Sequence, residues 1–121
     1  MSNVDKTFLK LVNHFVKMST LALDETNYCL VIRHGVLPNI KCAYTILDIN
    51  GINTDLLKKM ILLDSDLDIY PRITYSEVLD NRYLILGFST MDVPYLEKYS
   101  VSETMNLLIE FRNKIIILNQ K

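Results

Sequence analysis

Arg33-His34-Gly35 follows directly on the apolar run Cys29–Ile32, and Pro38 comes three residues after the glycine. A strand that delivers a histidine beside an arginine is one way to present an imidazole to phosphorus, the guanidinium holding the phosphoryl oxygens. Such chemistry needs further cations around the phosphate and an acid for the leaving oxygen. Leu37 stands two residues past the glycine, where a second arginine would serve, and the only other histidine, His14, lies upstream on the polar side of a helical pattern. The expectation is that His34 is a turn residue, that no residue is catalytic, and that the chain is not an enzyme.

Two other clusters invite chemistry. Asp64-Ser65-Asp66-Leu67-Asp68 alternates acids as a calcium loop begins, but Ile69 stands where that loop needs glycine and Tyr75 where it needs glutamate. It reads as a solvated connection. Cys29, Cys42, His14 and His34 show no paired metal-ligand spacing, so no metal site and no cofactor is expected. The two cysteines make no disulfide framework and read as reduced thiols embedded in strands. With three glycines in the chain there is little backbone to cradle a phosphate.

The elements that would carry these residues follow from periodicity. Val4, Phe8, Leu11, Phe15 and Met18 recur every three or four residues, a helix from about Val4 to Met18 that Ser2 or Asn3 can cap. Asp24–Asn27 has turn chemistry. Tyr28–Arg33 and Asn39–Ile49 read as strands joined by a loop containing Gly35, expected to supply a positive φ. In the second strand Ile40, Cys42, Tyr44 and Ile46 share a face, and a bend near Ala43 would make Tyr44–Ile49 a separate strand. A short helix, Asp55 to about Leu63, is apolar on nearly every side and is capped by Asn53 or Thr54. Arg72–Leu79 and Arg82–Thr90 form a hairpin about Asp80-Asn81. Ser100 and Glu103 match a capping box for a final helix, Val101 to Leu118, with Met105, Leu108, Ile115 and Leu118 along one face and Phe111 and Ile109 beside them.

The 121 residues therefore make one α+β domain, 1–121, with an antiparallel twisted sheet of about five strands and three helices in the order α-β-β-(β)-α-β-β-α. Thirteen basic and fourteen acidic residues give a formal charge of −1 with no basic stripe, which argues against a nucleic-acid partner. No apolar stretch approaches the ~20 residues of a membrane span, and the N-terminus lacks the apolar run of a signal peptide. Both faces of Tyr28–Ile32 are apolar, more than one sheet face would use, and such a surplus suggests a surface for a partner.

Leu21, Leu23, Asp24, Cys29, Leu30 and Val31, in LALDETNYCLVI, resemble the Leu-x-Leu-Asp to Cys segment of the class I type III secretion chaperones, the CesT-like family. The short apolar middle helix, the second hairpin and the Ser-x-x-Glu-capped last helix extend the resemblance over nearly the whole chain. It implies a cytoplasmic bacterial homodimer without enzymatic activity. That dimer would bind the N-terminal region of a secreted effector and keep it soluble and secretion-competent. It also implies an effector-binding groove, placed here at Phe8, Leu11, Phe15, Leu30 and Ile32, and a dimer seam at Leu56, Met60, Leu63, Ile73 and Tyr75. The alternatives are another small interaction or adaptor module of the same fold and, less favoured, an enzyme of the histidine-phosphatase kind using His34.

Overall fold

Alternate residues of the three central strands point to opposite sides of the sheet, and both sides are apolar, so both must be covered. The structure, a computed structural model, describes residues 5–37, 39–64, 66–91 and 96–120. Its elements are helix α1 (Lys6–His14), strands β1 (Thr20–Asp24), β2 (Cys29–Arg33) and β3 (Lys41–Asp48), helix α2 (Thr54–Ile61), strands β4 (Tyr75–Leu79) and β5 (Tyr83–Ser89), and helix α3 (Val101–Asn119). The five strands form one antiparallel sheet in the order β1-β2-β3-β5-β4. Fold class and element order are those expected.

The third strand of the first half comes from Thr20–Asp24; β3 runs unbroken from Lys41 to Asp48, with no bend at Ala43. The turn Asp24–Asn27 is present, tied by the Asp24 carboxylate, which accepts from the backbone N–H and the side-chain amide of Asn27 at 3.1 and 3.0 Å. The Asp80-Asn81 hairpin is also present, with both residues at φ near +55° as a two-residue primed turn requires.

The sheet separates two cores. Cys29, Val31, Ala43, Leu47, Leu84, Leu86 and Phe88 face α2 and α3 and meet Leu56, Met60, Leu108 and Phe111. Leu30, Ile32, Cys42, Ile46, Tyr83 and Ile85 face α1 and meet Phe8, Leu11 and Phe15. Burying each large side chain of α1 contributes roughly 1.5–3 kcal/mol, so a helix of nine residues holds its place by packing rather than by propensity. The apolar surplus on β2 is thus consumed inside the monomer: α1 folds back over the face left open by α3.

The helix ends follow the caps. Asp5 caps α1, its Oδ1 accepting from the N–H of Thr7 at 2.8 Å, and its other oxygen accepts from the hydroxyl of Tyr28. The expected caps Ser2 and Asn3, and Val4, lie outside the described residues. The helix stops at His14, four residues short of Met18, because the chain must turn to enter β1; Phe15 stays buried as the C-cap. Asn53 caps α2, and the Ser100–Glu103 capping box is formed in both directions, at 3.0 and 2.9 Å.

Candidate protein-binding groove

The predicted groove residues are brought together, but as a closed layer. Phe8, Leu11, Phe15, Leu30 and Ile32 all lie in the core beneath α1, with Leu11 and Leu30 essentially inaccessible. They do not form an open groove, since α1 itself fills the space a partner would need. Nor do Leu56, Met60, Leu63, Ile73 and Tyr75 form one surface. Leu56, Met60 and Ile73 are buried against α3's core. Tyr75 packs on the opposite side of the sheet, where its ring meets Tyr44 edge-on at 5.0 Å. Leu63 alone is exposed, beside Ile61 and Leu62.

The open apolar surface lies where α1 ends. Past His14 the same sheet face is uncovered, and a groove of about 420 Å³ crosses it from β4 to β2. Ile32, Cys42 and Tyr44 form its floor, Phe88 and Ser89 border it at the end of β5, Thr74 and Tyr75 close one end, and Arg33, His34 and Gly35 close the other. Met18 and Met91 stand on its rim, about half exposed at 48% and 53%. Val16, Val36 and Leu37, also exposed, belong to the segments that border it. Of the expected groove residues Ile32 reaches this surface, and of the expected seam residues Tyr75 does.

Aromatic packing shapes the floor. Tyr44 stacks on Phe15 at 4.3 Å between centroids and lies across from Gly87 in the β3–β5 ladder. A tyrosine over a cross-strand glycine needs that glycine's missing side chain. In the sequence Tyr44 and Met18 read only as members of apolar faces, and Gly87 and Met91 did not stand out. Met18 and Met91 lie 73 residues apart in the sequence and meet only across the groove, and a glycine inside a strand announces a close approach without saying to what.

The loop after β2 is held by His34. Its Nδ1 accepts from the backbone N–H groups of Val36 and Leu37 at 3.1 and 3.0 Å, and the backbone N–H of His34 donates to the carbonyl of Ile40 at 2.9 Å. The ring therefore organises the turn, and Gly35 does not adopt the positive φ expected of it. Arg33 is the only Lys or Arg in the groove's described lining.

The other polar clusters are built for attachment. His14 Nε2 lies 2.8 Å from Glu77, whose second oxygen accepts from the Tyr75 hydroxyl at 2.8 Å. Burial, helped by that bond, pushes the Tyr75 hydroxyl up to about 12, so it stays protonated. Burial also pushes the Cys29 thiol up to about 12, away from the reactive thiolate. Neither cysteine is in a disulfide, and both are buried in strands. The Asp64–Asp68 stretch makes an Asx turn, Asp66 N–H to Asp64 Oδ1 at 2.8 Å, with Ser65 outside the described residues. Among the described residues no group of three or more His, Cys, Asp or Glu could hold a metal, and no helix is long and apolar enough to cross a membrane.

At the sheet's margins β1 and β4 each have one side with no strand partner among the described residues. Neither strand carries a lysine or proline that would discourage a further strand from adding. Compared with family models, with curated proteins and with solved structures, the chain matches none.

Proposed function

We propose that the chain is a non-enzymatic binding protein, a cytoplasmic chaperone of a bacterial type III secretion system that holds the N-terminal region of an effector in an extended, secretion-competent form. The observation that carries this reading is the methionine-rimmed apolar groove running up to the edge strand β4. A segment seated in the groove at Tyr75 can continue along β4 as an added strand, so side chains fill the groove while backbone groups pair at the edge. Flexible methionines suit a surface that accepts more than one side-chain pattern. The order α-β-β-β-α-β-β-α, which the resemblance in the sequence implies, supports the same reading.

The protein acts as a homodimer in this reading, with Ile61, Leu62 and Leu63 at the exposed end of α2 as the seam. This replaces a seam through Leu56, Met60 and Ile73, which the monomer's core already uses. Groove variants must likewise avoid Leu11 and Leu30, whose replacement by aspartate would unfold the domain rather than report on binding.

The test is made in the native host. Deleting the gene should leave at least one type III effector unstable or unsecreted, and the N-terminal region of that effector should co-purify with the chain. The double variant Met18→Asp, Met91→Asp, which alters exposed rim positions, should keep the fold and lose the complex. If secretion is untouched by the deletion and no effector segment binds, the reading fails.

A further inference from the structure

Arg33 belongs to two surfaces. It closes one end of the apolar groove, and it also lines a second open pocket, of about 540 Å³, at the same end of the sheet. Lys41 and Lys98 join it there, opposed by the single carboxylate of Glu97. The described lining thus holds three cations against one anion, in a chain whose formal charge is −1.

These cations have no acidic partner among the described residues, where the ion pairs are Lys10–Asp80, His14–Glu77 and Arg82–Asp48. Among the described residues Lys41 Nζ donates to the carbonyl oxygens of Asn39 and Glu97, at 3.3 and 3.4 Å. Arg33 and Lys98 are exposed. Groove and pocket share Arg33 at one end of the sheet, so a chain that leaves the apolar floor and turns round the end of β2 arrives among these positive charges.

We propose that groove and pocket together take one extended segment of a partner protein in which an apolar stretch directly adjoins a cluster of acidic residues. The proposal rests on the binding function above and specifies the chemistry of the bound segment. Apolar side chains fill the floor between Tyr75 and Ile32, and carboxylates pass Arg33 to reach Lys41 and Lys98. An oligonucleotide fits less well, because its phosphates would lie over an apolar floor whose described lining holds no Lys or Arg but Arg33.

Fluorescein-labelled peptides of about 12 residues, long enough at about 3.3 Å per residue to span both surfaces, test this by anisotropy. Each carries a Leu/Val/Ile block joined to a block of Glu and Asp, in either order, or to the same number of lysines. A labelled single-stranded oligonucleotide serves as the competing ligand class. One acidic peptide should bind about tenfold or more tighter than its lysine counterpart at low salt, with the gap closing near 0.5 M NaCl. The double variant Arg33→Glu, Lys98→Glu, checked by circular dichroism for an intact fold, should reverse the preference. Equal binding of acidic and lysine peptides, lost in the Met18→Asp, Met91→Asp variant, would overturn the acidic specificity and leave the groove standing. Binding of the oligonucleotide with no peptide bound, or of nothing at all, would overturn both.

Discussion

A Cβ on Gly87 would lie 2.5 Å from the carbonyl oxygen of Ala43 and 2.5 Å from Cδ1 of Tyr44. The first of these is backbone in the middle of the sheet and cannot swing away; the second belongs to a ring already stacked on Phe15. Gly87→Ala should therefore cost about 1–3 kcal/mol, the range for overpacking a filled site, read as a lower denaturant midpoint. Because the ring it displaces also forms the groove floor, peptide binding should weaken in the same variant. An unchanged midpoint would mean that Tyr44 does not rest on Gly87. Local motifs of the same scale were legible: the Asp80-Asn81 turn and the Ser100–Glu103 box depend on neighbours two or three residues away. Gly87 was not, because its partner is across a strand pair, and His34 was legible as a turn residue but not as the acceptor that closes the turn.

Helix α1 is the element on which the site depends, since its length decides how much sheet stays open. Three links hold it: Asp5 to Tyr28 at its start, Lys10 to Asp80 at 2.7 Å, and His14 to Glu77 at its end. The first link has a defined pH window. The Tyr28 hydroxyl bonded to Asp5 holds that carboxyl below its ordinary value of 3.8, and the same bond holds the Tyr28 hydroxyl above its ordinary value of 10.0. A lowered carboxyl stabilises the fold above its unfolded pKa, and the contribution is lost as pH falls through the folded value. A raised hydroxyl stabilises it below its unfolded pKa, and the contribution is lost as pH rises through the folded value. Tyr28→Phe should thus lose about 1 kcal/mol near neutral pH and depend less on pH both below 4 and above 10. Urea midpoints across the pH range measure this; parallel curves for the two proteins would show that the link contributes nothing. Periodicity in Phe8, Leu11 and Phe15 announced the helix and its apolar stripe, but an amphipathic pattern does not say which apolar surface it meets. The surplus on β2 therefore looked like room for a partner when it was room for α1. Strand β1 escaped notice because TLALD offers only five residues beside a polar turn.

At the scale of the whole molecule, three layers bury both faces of the sheet, and apolar side chains cluster in solvent at the end of α1, where the groove lies, and at the end of α2. The second carries a backbone signal of its own. Leu63 follows α2 at φ +54°, and the N–H of Asp64 donates to the carbonyl of Lys59 while that of Leu63 donates to Met60, the closing bonds of a Schellman motif. Glycine is the usual residue there, because a side chain in left-handed backbone costs roughly 1–2 kcal/mol. The leucine is exposed, so the monomer's core does not repay that cost, whereas a dimer seam would. Leu63→Gly separates the two accounts. The dilute monomer should gain about 0.5–1 kcal/mol, the relief of strain less the flexibility that glycine adds to the unfolded chain. Self-association should weaken about tenfold or more if Leu63 is a central contact of the seam, as sedimentation over a concentration series would measure. A variant that is more stable and associates as before would remove Leu63, and with it the end of α2, from the proposed dimer interface.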